Sequence, residues 1–200
     1  MKIVFATGNE NKVVEIRAIF QDLNAEITTM AQEGINIDIE ENGTSFRENA
    51  MIKAESIAPL VKDAIVMADD SGLVIDALNG EPGIYSARYL GHDTSYHEKN
   101  GDLLRRLEGV PDEKRTARFV CAVAAVLPDG RKLVAEETME GRIGYEEKGS
   151  NGFGYDPISF LPEEGRYSAE LAPEEKNAIS HRGKALRKMR ELIHESIDRQ

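Results

Sequence analysis

Two short apolar runs, 2–6 (KIVFA) and 64–68 (AIVMA), constrain this chain most. Each is about one strand long, and each stops at turn residues: Thr7-Gly8-Asn9 after the first, Asp69-Asp70-Ser71-Gly72 after the second. Apolar runs this short, bounded in this way, read as buried strands. Behind the first, Val13, Ile16, Ile19 and Phe20 recur at helical spacing, so a helix follows the turn. Residues 34–40 (GINIDIE) alternate, with Ile35, Ile37 and Ile39 on one face, the pattern of a half-buried strand that ends at Glu40-Glu41-Asn42-Gly43. Ser45-Phe46-Arg47-Glu48 has the S-x-x-E form of a capping box and opens a second helix. Leu73 to Leu78 resumes as a strand before the turn Gly80-Glu81-Pro82-Gly83, and 94–108 reads as a mostly solvated helix. Residues 118–127 and 131–140 flank Pro128-Asp129-Gly130 and form a hairpin. From Glu174 onward, Ala185, Leu186, Met189, Leu192 and Ile193 mark one amphipathic helix. Strands alternating with helices, followed by a hairpin, indicate an α/β fold with a mixed sheet. No repeat or linker interrupts residues 1–200, so a single domain is expected.

Composition narrows the function. A formal net charge of −11 argues against a protein that coats nucleic acid, which needs a basic face to displace counterions. It leaves room for a small anionic substrate where cations gather locally or a metal helps. No apolar run approaches the roughly 20 residues of a membrane span, and MKIVFATGN is too short in its apolar part for a secretory signal. Cys121 is the only cysteine, which excludes an internal disulfide and a cysteine-based metal site. A cytoplasmic location is the expectation.

Five clusters carry candidate chemistry. Thr7, Gly8, Asn9, Glu10, Asn11 and Lys12 lie at a strand-to-helix junction, where backbone N–H groups and the helix dipole suit phosphate. An ordinary capped turn is the competing reading; neither the P-loop nor the dinucleotide fingerprint is present. Glu40-Glu41 and Asp69-Asp70 follow strand ends, a usual ligand position in open α/β sheets. Carboxylates from two such ends can hold a hard Mg²⁺ ion while another takes a proton from water, though acidic pairs after strands are often solvated turns. Lys53 shares a helix face with Phe46, Ala50 and Ile57, so it either snorkels to water or reaches into a site. Gly152-Phe153-Gly154-Tyr155-Asp156-Pro157 is a tight turn or a base pocket, with Phe153 as stacking face and Asp156 as hydrogen-bonding edge. Lys176, His181, Arg182 and Lys184 concentrate cations near the start of the last helix, where they offset the macrodipole poorly; an anionic partner is favoured over a solvated helix start, and His181 could equally be a core or surface histidine.

Taken in order, ATGNENK (6–12), TSFRENAMIKA (44–54), ADDSGL (68–73), GEPGIYSARY (80–89), GFGYDPI (152–158) and EEKNAISHRGKAL (174–186) resemble the inosine/xanthosine triphosphate pyrophosphatase family. The resemblance runs from residue 3 to residue 190, and six motifs in order are specific where any one is weak. It implies two α/β lobes around a long central mixed sheet with flanking helices, a nucleotide cleft between the lobes, and a homodimer. It implies that Thr7 to Lys12 cradle the phosphate and ribose side with Lys53 assisting. Glu41 and Asp70 become the Mg²⁺-linked carboxylates, with Glu40 and Asp69 as close neighbours. Asp70 accepts the proton from water, Ser71 touches substrate, and Phe153 stacks on the base in a pocket lined through Gly154, Tyr155 and Asp156. Lys176, His181 and Arg182 recognise the base or nearby groups. Ser159 departs from the family's usual bulky aromatic after GFGYDPI, just outside this set.

The implied reaction is Mg²⁺-dependent hydrolysis of ITP, dITP or XTP to monophosphate and pyrophosphate. Its competitors are a house-cleaning pyrophosphatase for modified pyrimidine triphosphates and a sensor that binds nucleotide without cleaving it.

Overall fold

The computed structural model describes residues 1–7 and 10–198. Its strands are β1 (Lys2–Phe5), β2 (Glu26–Thr29), β3 (Ile65–Ile75), β4 (Thr116–Val126), β5 (Lys132–Ile143), β6 (Ser159–Leu161) and β7 (Arg166–Tyr167). They form one seven-stranded sheet in the order β2-β1-β3-β4-β5-β6-β7. β1 pairs in parallel with β2 and with β3, Ile3 lying opposite both Ile27 and Ile65. β6 runs antiparallel to β5 and to β7, so the sheet is mixed. Parallel neighbours need a crossover; α1 (Glu10–Ile19) supplies it between β1 and β2, and α2 (Phe46–Ile57) leads into β3. The helices α3 (Tyr96–Arg106), α4 (Pro173–Ile179) and α5 (His181–Asp198) complete the α/β architecture. Among the described residues, no helix is long and apolar enough to cross a membrane.

The chain divides into two compact units. The first comprises Met1–Asp70, Cys121–Glu137 and the residues from Arg182 onward. Its core joins Ile3 and Phe5 of β1, Ile16 and Phe20, Ile65 and Met67 of β3, Val123 of β4, and the α5 stripe Ala185, Leu186, Met189 and Ile193. Those four α5 residues are fully buried, and burying a leucine- or methionine-sized side chain contributes about 1.5–3 kcal/mol. The second unit, Ser71–Val120 and Thr138–His181, has its own core of Leu73, Ile75, Leu103, Leu107, Phe119, Met139, Ile143 and Leu171. There α3 opens on a complete capping box between Ser95 and Glu98.

Four local expectations need correction. The run after Ala64 does not stop at the acids: β3 continues unbroken from Ile65 to Ile75, so Asp69 and Asp70 lie inside a strand. Mid-strand carboxylates are tolerated because cations and an amide meet them, as described below. The alternating segment 34–40 forms no strand, and Ile37 is 41% exposed. Alternation describes one face only; a strand also needs a ladder partner, and the sheet edge beside β1 is taken by Glu26–Thr29. The helix around 94–108 is less solvated than its charge suggests, since Lys99, Asn100 and Leu103 are buried. The C-terminal helix is two helices, broken where Ser180 turns extended at φ −65°, ψ 149°. In α2, Ser45 accepts from the Glu48 N–H as the motif requires. The Glu48 carboxylate, however, reaches back to the Thr44 N–H at 2.6 Å.

Candidate active site

Consecutive strand residues face opposite sides of a sheet, and this separates the two acids of β3. Asp69 is 3% exposed and sits against cations of the first unit. Lys12 Nζ lies 2.8 and 3.0 Å from its two oxygens, and Arg182 Nε lies 3.4 Å from Oδ2. Burial alone would push its carboxyl up, but the charges of Lys12, Arg182 and Lys53 outweigh burial and hold it well below the usual carboxylate range. Asp69 is therefore an ionised anchor for Lys12, at the start of α1, and Arg182, at the start of α5. Both of its oxygens engage ammonium or guanidinium groups, an arrangement that suits charge positioning better than metal ligation.

Asp70 meets different partners. Asn49 Nδ2 donates to its Oδ2 at 3.2 Å, and Lys53 Nζ lies 3.8 Å from Oδ1. The same Lys53 nitrogen lies 3.3 Å from Glu41 Oε1. Lys53 thus reaches into the acidic pair rather than out to water, with its side chain 15% exposed. Burial is the main cause that raises the Asp70 carboxyl above its ordinary value; Lys53 opposes it, while Glu41 and Asp69 add to it. Two carboxylates from separate segments thus share one monocation. Glu40 is exposed and, among the described residues, joined to neither acid.

Asn49 was not singled out from sequence. It is fully buried in α2, its Oδ1 accepts from the Gly43 N–H at 2.9 Å, and its amide donates to Asp70. One side chain therefore fixes both the Asp70 carboxylate and the segment that carries Glu41. The available signal was its spacing: Asn49 stands four residues before Lys53 on a helix that buries Phe46, Ala50 and Ile57. Gly43 is required there, because a Cβ would fall 2.7 Å from Asn49 Oδ1 and 2.7 Å from Glu48 Cβ.

Of the expected phosphate segment, Thr7 is half-buried and Lys12 is engaged as above. Gly8 and Asn9 lie outside the described residues, as do the side chains of Glu10 and Asn11. Ser71 follows Asp70 in β3 and is half-buried.

In the second unit the 152–156 turn is built around Asp156, which is 2% exposed. Its Oδ1 accepts from Ser168 Oγ at 2.8 Å; its Oδ2 accepts from the Phe153 N–H at 2.8 Å and pairs with Lys176 Nζ. The carboxylate expected to offer an edge to a base is spent on organising the loop. Gly152 has φ +73°, and a Cβ there would come 2.2 Å from Asp156 Oδ2. What the turn presents is Phe153, 61% exposed, with Lys176 Nζ 5.0 Å from its ring centroid. A large aromatic is left in water there with an open ring face beside a cation. Tyr155 is turned inward: it is 4% exposed, donates to the Ser86 carbonyl at 2.7 Å and packs edge-on against Tyr96. Burial pushes its phenol well above the ordinary value. His181 is buried and stacked on Phe119, ring centroids 5.1 Å apart.

The model of the Ham1 family matches residues 3–192. A dITP/XTP pyrophosphatase of Geobacillus kaustophilus is 47% identical over 196 residues, covering 98% of this chain and 96% of that protein. One from Clostridium perfringens is 46% identical over 197 residues, covering 96% and 97%. Among solved structures, the Ham1 protein of Staphylococcus aureus superposes with a TM-score of 0.90 at 38% identity, covering 98% of this chain and all of the other. A HAM1 protein from Coxiella burnetii gives 0.89 at 40% identity, covering 98% and 99%.

Proposed function

This chain belongs to the Ham1 family, and from that membership and the site just described we propose that it hydrolyses non-canonical purine nucleoside triphosphates, dITP, ITP and XTP, to the monophosphate and pyrophosphate. The observation that carries the reading is the convergence of Glu41 and Asp70 on Lys53, beside Asp69 clamped by Lys12 and Arg182. Glu41 and Asp70 are hard carboxylate donors of the kind Mg²⁺ takes, and they would hold the ion. When bound there, Mg²⁺ neutralises phosphate charge.

The residues of the chain divide the rest of the work. Asp70, the acid whose carboxyl burial pushes up, accepts a proton from the attacking water. The water oxygen bonds to the α-phosphorus, the bond from that phosphorus to the α–β bridging oxygen breaks, and pyrophosphate leaves with the bridging oxygen. Lys12 and Lys53 offset the charge on the leaving group, and Asp69 keeps Lys12 in place for that task. Phe153 stacks on the base. Lys176, His181 and Arg182 supply N–H donors for the 6-keto oxygen. ATP carries an amino donor at that position, so donors would face donors, at about 1–3 kcal/mol for each unpaired buried group. The reading extends to a homodimer and to a cytoplasmic location.

The test is incubation with dITP, ITP, XTP, ATP, GTP and dUTP, each with Mg²⁺ and with chelator, and identification of the products. Monophosphate and pyrophosphate from the first three, only with Mg²⁺, is the expected result. Turnover of dUTP alone would move the reading to a pyrimidine enzyme, and binding without turnover would replace it with a sensor. Size-exclusion chromatography with light scattering tests the dimer.

A further inference from the structure

Along α3, Tyr96, Asn100, Leu103 and Leu107 fall at i, i+4, i+7 and i+11, the spacing of one helix face. Leu103 and Leu107 are fully buried in the core of the second unit, and Asn100 stands in the same row at 1% exposure. Its Nδ2 donates to Glu147 Oε1 at 2.7 Å and to the Gly154 carbonyl at 3.3 Å. Its Oδ1 has no hydrogen-bond partner among the described residues. The reverse amide assignment would set an oxygen against a carboxylate and a carbonyl, so the network admits only this one. A buried acceptor without a partner costs stability; a leucine in this row would remove that cost but leave Glu147 and the Gly154 carbonyl without this donor. The fold therefore carries a local penalty for what the amide holds.

What the amide holds is the loop beneath the stacking platform. Gly154 follows Phe153 directly, at φ +68°, and the Tyr96 ring lies 3.5 Å from where its Cβ would be. Tyr96 is fixed in turn: it meets Tyr155 edge-on at 5.2 Å, and the buried Lys99 ammonium lies 4.8 Å from its ring centroid. Lys99 donates to the Ala87 carbonyl at 2.8 Å, and Tyr155 donates to the Ser86 carbonyl, so the 3₁₀ turn Gly83–Arg88 braces the same loop from its other end. Of these ties, only Asn100 reaches the backbone next to Phe153 from α3.

We propose that Asn100 is a positioning residue for base recognition: by tying the Gly154 carbonyl to α3 it sets the Phe153 ring in its stacking position, with Glu147 orienting the amide. The inference rests on the stacking role given to Phe153 above. Loosening the tie weakens an interaction shared by ground and transition states, which raises KM and leaves kcat in place.

The test is Asn100→Leu, assayed with dITP and with ATP in the presence of Mg²⁺. The expected result is a KM for dITP raised about five- to tenfold, the value of one lost hydrogen bond. With it go a kcat within about twofold of the parent enzyme and an unchanged ratio of dITP to ATP specificity, because both bases share the stack. An unchanged KM, or a kcat that falls while KM holds, overturns the proposal. If the leucine variant does not fold, Asn100→Ala is read by the same two constants. A parent enzyme that leaves dITP intact would instead overturn the proposed function, so the two failures are distinct.

Discussion

Replacing Asn49 by alanine removes a fully buried side chain that makes two bonds. The Gly43 N–H loses its acceptor at 2.9 Å, and Asp70 Oδ2 loses its donor at 3.2 Å. Both contacts are part-buried, which puts the cost of each lost partner in the lower part of the usual range. At about 1–2 kcal/mol for each of the two groups, the expected loss is about 2–4 kcal/mol of stability. With a urea slope of about 2 kcal/mol per molar, the unfolding midpoint should fall by about 1–2 M. The functional effect follows from the same two bonds, because they hold Asp70 and the segment carrying Glu41 to one helix. Partners that orient metal ligands are worth about 10–100-fold in metal affinity, so the half-saturating Mg²⁺ concentration for dITP hydrolysis should rise by that factor. At saturating Mg²⁺ the turnover should recover much of its parent value. Gly43→Ala pushes a methyl group against Asn49 from the other side and should reproduce the Mg²⁺ shift. A half-saturating Mg²⁺ concentration unchanged in both variants would refute the reasoning, whatever happens to stability.

Three further outcomes follow from the site. Asp70→Asn should lower turnover about 10²–10⁴-fold with the circular dichroism spectrum intact; near-parent kcat would remove Asp70 as proton acceptor. Phe153→Ala should raise KM for dITP about tenfold or more, the value of a lost base stack. It should leave the thermal midpoint unchanged because the ring is mostly exposed; an unchanged KM would mean the base stacks elsewhere. Tyr155 has a phenol raised above its ordinary 10.0, so the native state favours the neutral form. Stability linked to it is complete below pH 10 and is lost as pH rises beyond that value. Tyr155→Phe should cost about 1 kcal/mol at pH 7 through the lost bond to Ser86, yet lose less than the parent between pH 9 and about 11. Urea midpoints that fall equally steeply in both proteins would contradict this.

Local pattern was enough for several features. The apolar runs before Thr7 and Asp69 specified strands, because few side-chain sets other than a buried strand's are apolar for four or five residues and then stop. The row Phe46, Ala50, Lys53, Ile57 was enough to mark Lys53 as displaced toward either water or a site, since helical periodicity alone reveals a charge on an apolar face. An aromatic between two glycines marked the 152–156 turn. Local pattern failed where a partner decides the outcome. The 34–40 segment alternates like a strand but has no ladder partner, and Glu26–Thr29 became the strand beside β1. Asp156 looked like a recognition edge, yet its oxygens close the loop through Ser168 and Lys176, 12 and 20 residues away in the chain.

The acidic dipeptide shows the division most plainly. Sequence determined that two carboxylates stand side by side after an apolar run, to be either solvated or met by a cation. Tertiary structure alone decided that one is an ionised clamp for Lys12 and Arg182 while the other, with Glu41 and Asn49, forms the candidate metal and proton-accepting pair. The reason is geometric. A strand turns adjacent side chains to opposite faces, and what waits on each face is delivered by segments as far as 113 residues away.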